Sequence, residues 1–302
     1  MKKEGKKWML VALALLAVVT VALPLVGCKN DTVAEQTGDG TGSGSGNQGS
    51  GDPEQPAIYT VTFDTKGGSS IVEQTVVSGQ TATKPADPTL ENNVFGGWYS
   101  DKELTQEYSF DTDVTGSFTL YAKWVKRIEV NDYDVYNSVI AELTGDGSYI
   151  LVATGNWSSV HLSAIKAALN EKPTAKVNLD LSEATGLTTI GNYAFEGCRG
   201  LTSISIPSSV TSIGGDAFKD CSGLTSISIP EGVTTIGAGA FEGCSELTTV
   251  TMKATTPPEL GYGVFNGTAG NLQILVPSGS EEAYKNATTD KGWDSYKDKI
   301  KP

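Results

Sequence analysis

Few side chains in this chain could carry covalent or metal chemistry. Four cysteines and a single histidine stand among 302 residues, against 35 acidic and 22 basic groups. Three of the cysteines, Cys198, Cys221 and Cys244, recur every 23 residues. If the units that carry them stack at the spacing of neighbouring strands, about 4.8 Å, their Cα atoms come close enough for a bridge. Three thiols cannot all pair, so the column reads as small buried apolar groups. A zinc site would want four ligands, with histidines or paired C-x-x-C motifs, and neither pattern occurs. No metal and no cofactor is expected. The lone histidine, His161, would need a defined serine and acid beside it to act in a triad, and no spacing singles any out. A place on the flank of a capping helix is the simpler expectation. Carboxylate pairs of the kind that hydrolyse glycosides cannot be picked out of so acidic a chain either. The expectation is a protein with no catalytic residues, not an enzyme.

The elements that hold the cysteine column repeat themselves. Leu201-Thr-Ser-Ile-Ser-Ile-Pro207 returns as Leu224-Thr-Ser-Ile-Ser-Ile-Pro230, and Phe195, Phe218 and Phe241 keep the same step of 23. Gly261-Tyr-Gly-Val-Phe265 stands one residue late where Gly237-Ala-Gly-Ala-Phe241 stood. A period in the twenties marks a solenoid whose units cannot bury their apolar face alone. Within a unit, Ile204 and Ile206 alternate with Ser203 and Ser205, the period of a strand with one buried face. Pro207 lacks a backbone donor and closes it. Val210 and Ile213 then re-enter the core, Gly214 turns the chain, and Asp216 to Cys221 is long enough for one helical turn that drops Phe218 inward. With Ile204, Ile206, Ile227, Ile229, Val250 and Met252 inside, Ser203, Ser205, Ser226, Ser228, Thr249 and Thr251 form outward columns of hydroxyls. Repeat proteins bind on such extended faces, which makes these six the candidate ligand-binding residues.

The pattern strand, Ile-Pro, Val-x-x-Ile-Gly, Ala-Phe-x-x-Cys resembles the BspA-type leucine-rich repeats of bacterial surface proteins. It recurs at Ile213, Gly214, Ala217, Phe218 and Cys221 and covers roughly Val177 to Val276. The resemblance implies an extracellular binding scaffold and no chemistry. Pro277-Ser-Gly-Ser280, with Tyr284, Trp293 and Tyr296 after it, is similar to the C-terminal cap common behind such repeats, with a helix starting near Ser280.

The fourth cysteine has different neighbours. Lys2, Lys3, Lys6 and Lys7 precede an apolar run from Met9 to Val26, and Leu25-Val-Gly-Cys28 follows. That ending resembles the lipobox of bacterial lipoprotein signal peptides. The resemblance implies cleavage before Cys28 and two or more acyl chains on it, enough for stable anchoring where one would bind reversibly. Loss of residues 1–27 would leave 18 basic and 34 acidic groups, moving the net charge from −13 to −16. Such a surface repels phosphate backbones, so nucleic acid is not an expected partner. Residues 29–57, rich in Gly and Ser, cannot bury a core and read as a disordered tether.

Ordered sequence begins at Ile58. Tyr59, Val61 and Phe63 alternate with threonines, Lys66-Gly-Gly68 turns the chain, Ile71 to Val77 supplies a second strand, and Phe118 to Trp124 alternates again. Phe63, Trp98, Leu120 and Trp124 should form the core; a sugar-stacking platform at Trp98 and Tyr99 is a lesser reading. Val61-Thr-Phe-Asp64, Gly67-Gly68, Pro85 to Pro88, Phe95-Gly-Gly-Trp-Tyr99 and Leu120-Tyr-Ala-Lys-Trp124 together resemble the InlB B-repeat, also called the Listeria–Bacteroides repeat. That family implies a β-grasp-like fold and a spacer or weak interaction module. Between this segment and the repeats, Tyr149 to Val152 reads as a strand and Ser158 to Leu169 as a helix with Val160, Leu162, Ile165 and Leu169 on one face, a cap for the first coil.

The expected architecture is β-rich and multidomain. Its parts are a signal peptide (1–27), a lipidated cysteine and tether (28–57), a small β-grasp-like module (58–125) and an N-terminal solenoid cap (126–176). A parallel-stranded leucine-rich-repeat solenoid (177–278) and a C-terminal helical cap (279–302) complete it. The expected function is adhesion. A protein held by its lipid at the outer surface of the cell envelope would present the solenoid face to an extracellular protein or glycan. The alternative is an envelope structural or polysaccharide-binding lipoprotein.

Overall fold

The computed structural model describes residues 55–131, 133–287 and 292–302. The expected signal peptide, Cys28 and nearly all of the tether lie outside the described residues. Strand β1 (Ile58–Asp64) lies antiparallel to β2 (Gln74–Val77). It lies parallel to the start of β4 (Phe118–Val130), and β3 (Asn93–Tyr99) runs antiparallel to β4. The Phe95-Gly-Gly-Trp-Tyr99 motif is a bulge in β3. Phe95 faces Trp124 and Trp98 faces Ala122, so three steps on one strand meet two on the other. The extra residue needs a backbone without Cβ, and Gly97 supplies φ +108°. The bulge turns Trp98 into the core, edge-on to Phe63 at 5.0 Å and to Phe95 at 5.3 Å. Gly68 is fixed by packing, since a Cβ there would sit 2.5 Å from the Trp124 ring.

The long strand β4 does not stop at the expected boundary after Val125. From Lys126 to Val130 it pairs in parallel with β5 (Ser148–Ala153), which in turn pairs with Lys176–Asp180. Leu201–Ser205, Ser226–Ile229, Thr249–Met252, Gln273–Leu275 and Ile300–Lys301 follow as parallel neighbours. The repeats therefore stack as the 23-residue period requires, and one eleven-stranded sheet runs from β2 to the last strand.

Each coil closes through two further rows. Thr189–Ile190, Ser212–Ile213, Thr235–Ile236 and Glu259–Leu260 form a second parallel sheet. The Ala-Phe-x-x-Cys segments form a third row of tight turns, where a full helical turn was expected. Lys219 N donates to Asp216 O and Cys221 N to Phe218 O within a coil. Across coils, Phe195 N donates to Ala217 O at 2.7 Å and Phe218 N to Ala240 O at 2.8 Å. Turns win because they leave alternate amides pointing at the next coil, so each buried backbone group finds a partner.

The core is a translated set of residues. Phe195, Phe218, Phe241 and Phe265 stack at 5.2–5.5 Å between ring centres, so the late fourth copy keeps its place. Before the first coil, α1 (Val135–Glu142), which the sequence reading did not anticipate, packs on α2 (Ser159–Glu171). The buried residues of α2 are Leu162, Ile165, Ala168 and Leu169, whereas Val160 is 73% exposed. Positions two apart do not share a helix face, so Val160 could not join Leu162. At the far end α3 (Glu281–Asn286) and a 3-10 helix (Asp294–Lys299) close the core. Tyr296 meets Phe265 edge-on, the Tyr284 hydroxyl donates to Ala254 O, and Trp293 Nε1 donates to Pro258 O, both bonds 2.7–2.8 Å.

Candidate ligand-binding face

The strands Leu201–Ser205, Ser226–Ile229 and Thr249–Met252 bury Ile204, Ile227, Ile229, Val250 and Met252 and leave the alternate residues outward. Register then builds two rows. Ser205 lies between Asp180 and Ser228, and Ser228 beside Thr251. Ser203 lies beside Asn178, and Ser226 beside Thr249, which faces Gln273. Ser205 and Ser226 are exposed and the other four half-buried. Asn178, Asp180 and Gln273 extend the face beyond the six residues expected from the pattern, because the ladder continues into coils whose sequence has drifted.

Other hydroxyl columns are used up inside the molecule. Thr202 Oγ1 donates to Val177 O, Thr225 Oγ1 to Thr202 O and Thr248 Oγ1 to Thr225 O. Thr211 and Thr234 do the same toward Thr188 and Thr211, and Thr189 and Ser212 bond each other at 3.1 Å. Ser203, Ser205, Ser226, Ser228, Thr249 and Thr251 make no such side-chain bond among the described residues. Their donors and acceptors remain available to a ligand.

A second feature escaped the sequence reading. Where the short second-sheet strands meet the turns, an open groove of about 600 Å³ is lined by Thr189, Asn192, Ser212, Thr235, Glu259 and a file of glycines. The file is imposed by packing: a Cβ on Gly214, Gly237 or Gly261 would lie 2.2–2.5 Å from the backbone nitrogen of the preceding coil. Its signal was the recurrence of Gly214, Gly237 and Gly261 one step before the turn.

The chemistry-bearing residues fall into structural roles. Cys198, Cys221 and Cys244 are free and buried. Cys221 Sγ donates to Phe195 O and Cys244 Sγ to Phe218 O, both at 3.0 Å. Burial pushes Cys198 and Cys244 up to about 12 and Cys221 higher still, so the nucleophilic thiolate is suppressed. In the fourth coil Thr268 takes this position and its hydroxyl donates to Phe265 O. His161 sits at the third position of α2, where its Nδ1 accepts from Ser158 N at 2.9 Å and lies 3.1 Å from Ser158 Oγ. This is a capping box with histidine in the place of glutamate. Trp98 and Tyr99 are 2% and 8% exposed, so the sugar platform considered for them is closed by core packing. Among the described residues no group of three or more His, Cys, Asp or Glu could hold a metal ion.

Residues 175–290 match the BspA type leucine rich repeat region in six copies, and residues 59–123 match the Listeria-Bacteroides repeat domain. The chain thus joins a Listeria–Bacteroides repeat to a BspA-type leucine-rich-repeat solenoid. Two proteins of Evansella cellulosilytica, provisionally named a Gly-rich membrane protein and a membrane protein, are 45% and 43% identical over 78 and 79 residues. Each match takes in 26% of this chain and 9% or 11% of the relative, so the chain spans about a tenth of those proteins. Among solved structures, the leucine-rich-repeat protein of T. pallidum is 23% identical over 44% of this chain and 59% of its own, with a TM-score of 0.33. A leucine-rich-repeat protein from Bacteroides ovatus is 34% identical over 30% of this chain and 25% of its own, with a TM-score of 0.25.

Proposed function

We propose that this is a bacterial surface protein, anchored through lipid on Cys28, that binds an extracellular macromolecule on the solenoid strand face and catalyses nothing. The observation that carries the reading is the split between hydroxyl columns. Those of Thr202, Thr225, Thr248, Thr211 and Thr234 are bonded to neighbouring coils, while the six on the strand face are left uncommitted. The repeat type and the membrane-protein names of its relatives support an envelope location. No helix among the described residues is long and apolar enough to cross a membrane. The lysines, apolar run and Leu25-Val-Gly-Cys28 ending of the N-terminal segment support anchoring through Cys28, and mass spectrometry of the mature N-terminus tests it.

The face is tested by binding of the protein to extracellular matrix proteins and to neighbouring-cell surfaces. Saturable binding that falls at least tenfold in Ser205→Arg/Ser228→Arg is expected; no saturable binding to any of them sinks the adhesive reading. A second reading, attachment to the cell's own polysaccharide, is favoured by the groove over Gly214, Gly237 and Gly261, whose lining of Thr189, Asn192, Ser212, Thr235 and Glu259 offers hydroxyl, amide and carboxylate partners to sugar hydroxyls. A glycan array separates the two, since groove binding would survive substitutions on the strand face.

A further inference from the structure

We propose that residues 58–124 form a load-bearing joint, in which a parallel lap between β1 and β4 carries tension from the segment before Ile58 into the solenoid. Only the last four residues of β1, Val61 to Asp64, lie beside Phe118 to Tyr121 of β4. β1 projects from one end of that overlap toward Ile58. β4 continues from the other end and becomes part of the solenoid sheet from Lys126 to Val130. The chain enters and leaves the overlap in opposite directions along one strand axis. Tension between those ends slides one strand past the other, so the bonds of the overlap must fail together. Pulling from a single end would open them one at a time.

Side chains rivet the same overlap. Thr60 N donates to Ser117 Oγ at 2.9 Å, Thr62 Oγ1 donates to Phe118 O and meets Thr119 Oγ1, both at 3.2 Å, and Trp124 Nε1 reaches across to Thr65 O at 2.8 Å. Phe63 and Leu120, paired in register, are both buried. Each lap strand is also gripped on its far side, β1 by β2 and β4 by β3. Three of the four glycines of the motifs serve this grip: Gly96 and Gly97 make the bulge that seats Trp98, and Gly68 makes room for Trp124. A flexible spacer needs none of these features.

The use of the joint rests on the proposed function, since an anchor at one end and a ligand on the solenoid supply the tension. The joint itself is measurable without membrane or ligand, so failure of one idea leaves the other standing. Forced rupture reports the unfolding barrier directly. The full chain with Cys28→Ser is pulled in a single-molecule force instrument between thiols at Ala57→Cys and Glu183→Cys, and separately between Lys66→Cys and Glu183→Cys. The first geometry shears the lap and the second peels it from the Asp64 end. A rupture force at least twofold higher in the first geometry is expected; equal or lower force there overturns the proposal. Ser117→Ala, which removes the bond to Thr60 at the end of the lap far from Lys66, is expected to lower the shear force and leave the peeling force unchanged. An equal drop in both would show general weakening and would count against the joint.

Discussion

The solenoid and the module before it build their cores in opposite ways. In the solenoid one ring is translated, and Phe195, Phe218, Phe241 and Phe265 stack within 3–13° of parallel. In the module Phe63, Trp98, Phe95 and Trp124 meet edge to face at 63–67°, each pair differently placed. A translated core makes every residue's environment out of copies of itself, so damage in one coil is felt by the coils on both sides. A core assembled once depends on particular devices, such as the bulge at Gly96 and Gly97, and damage there stays local.

Removing an inner ring of the stack is the severest test of that contrast. Phe218→Ala should cost about 3–5 kcal/mol in denaturant unfolding. It should also strip hydrogen-exchange protection from the coils on either side. Trp98→Ala should cost a similar amount but expose only amides of residues 58–124. If it unprotects the solenoid equally, the two cores are not separable. Gly237→Ala comes next, because its Cβ would meet the Gly215 backbone nitrogen at 2.3 Å. A loss of at least about 2 kcal/mol is expected, against about 0.5 or less for Gly191→Ala, in the same column with nothing within 4 Å.

The translated thiols give the solenoid an alkaline weakness of its own, apart from the burial that also raises Tyr108 in the module. Cys198 and Cys244 are raised from 9.0 to about 12 in the folded protein. The stability this lends is full below pH 9. Between pH 9 and 12 the unfolded chain releases protons that the folded chain keeps, so stability falls as pH rises. Thermal midpoints measured across that range should drop less steeply in Cys198→Ala/Cys244→Ala than in the parent. A smaller effect is expected at α2, where His161→Ala should cost about 1 kcal/mol by melting, and His161→Gln should recover most of it by rebuilding the capping box. The smallest is a gain. Asp220 holds φ +56° where the next coil has Gly243 at φ +73°, so Asp220→Gly should stabilise by about 0.5 kcal/mol.

Much of this was legible before any coordinates. The inward isoleucines and phenylalanines, the parallel stack and the buried cysteine column all follow from a period of 23, since a strand face repeated at fixed spacing can only be covered by its own copy. The aromatic core of residues 58–124 was visible in outline, but its rings could not be oriented without the bulge. Helix α1 was missed for want of a clear apolar period. Val160 is apolar yet faces solvent, because it lies two positions from Leu162 and so off the buried face of α2.

The sequence alone determined that these units must lie side by side. Only the tertiary structure decided which hydroxyls are free. Thr225 and Ser226 are neighbours of like chemistry, yet one bonds the coil before it and the other faces outward. Only the structure, too, carried β4 across residue 125, because its partner β5 begins more than twenty residues later. Composition fixes what each residue can do locally; the partner across a sheet is set by where distant strands come to rest.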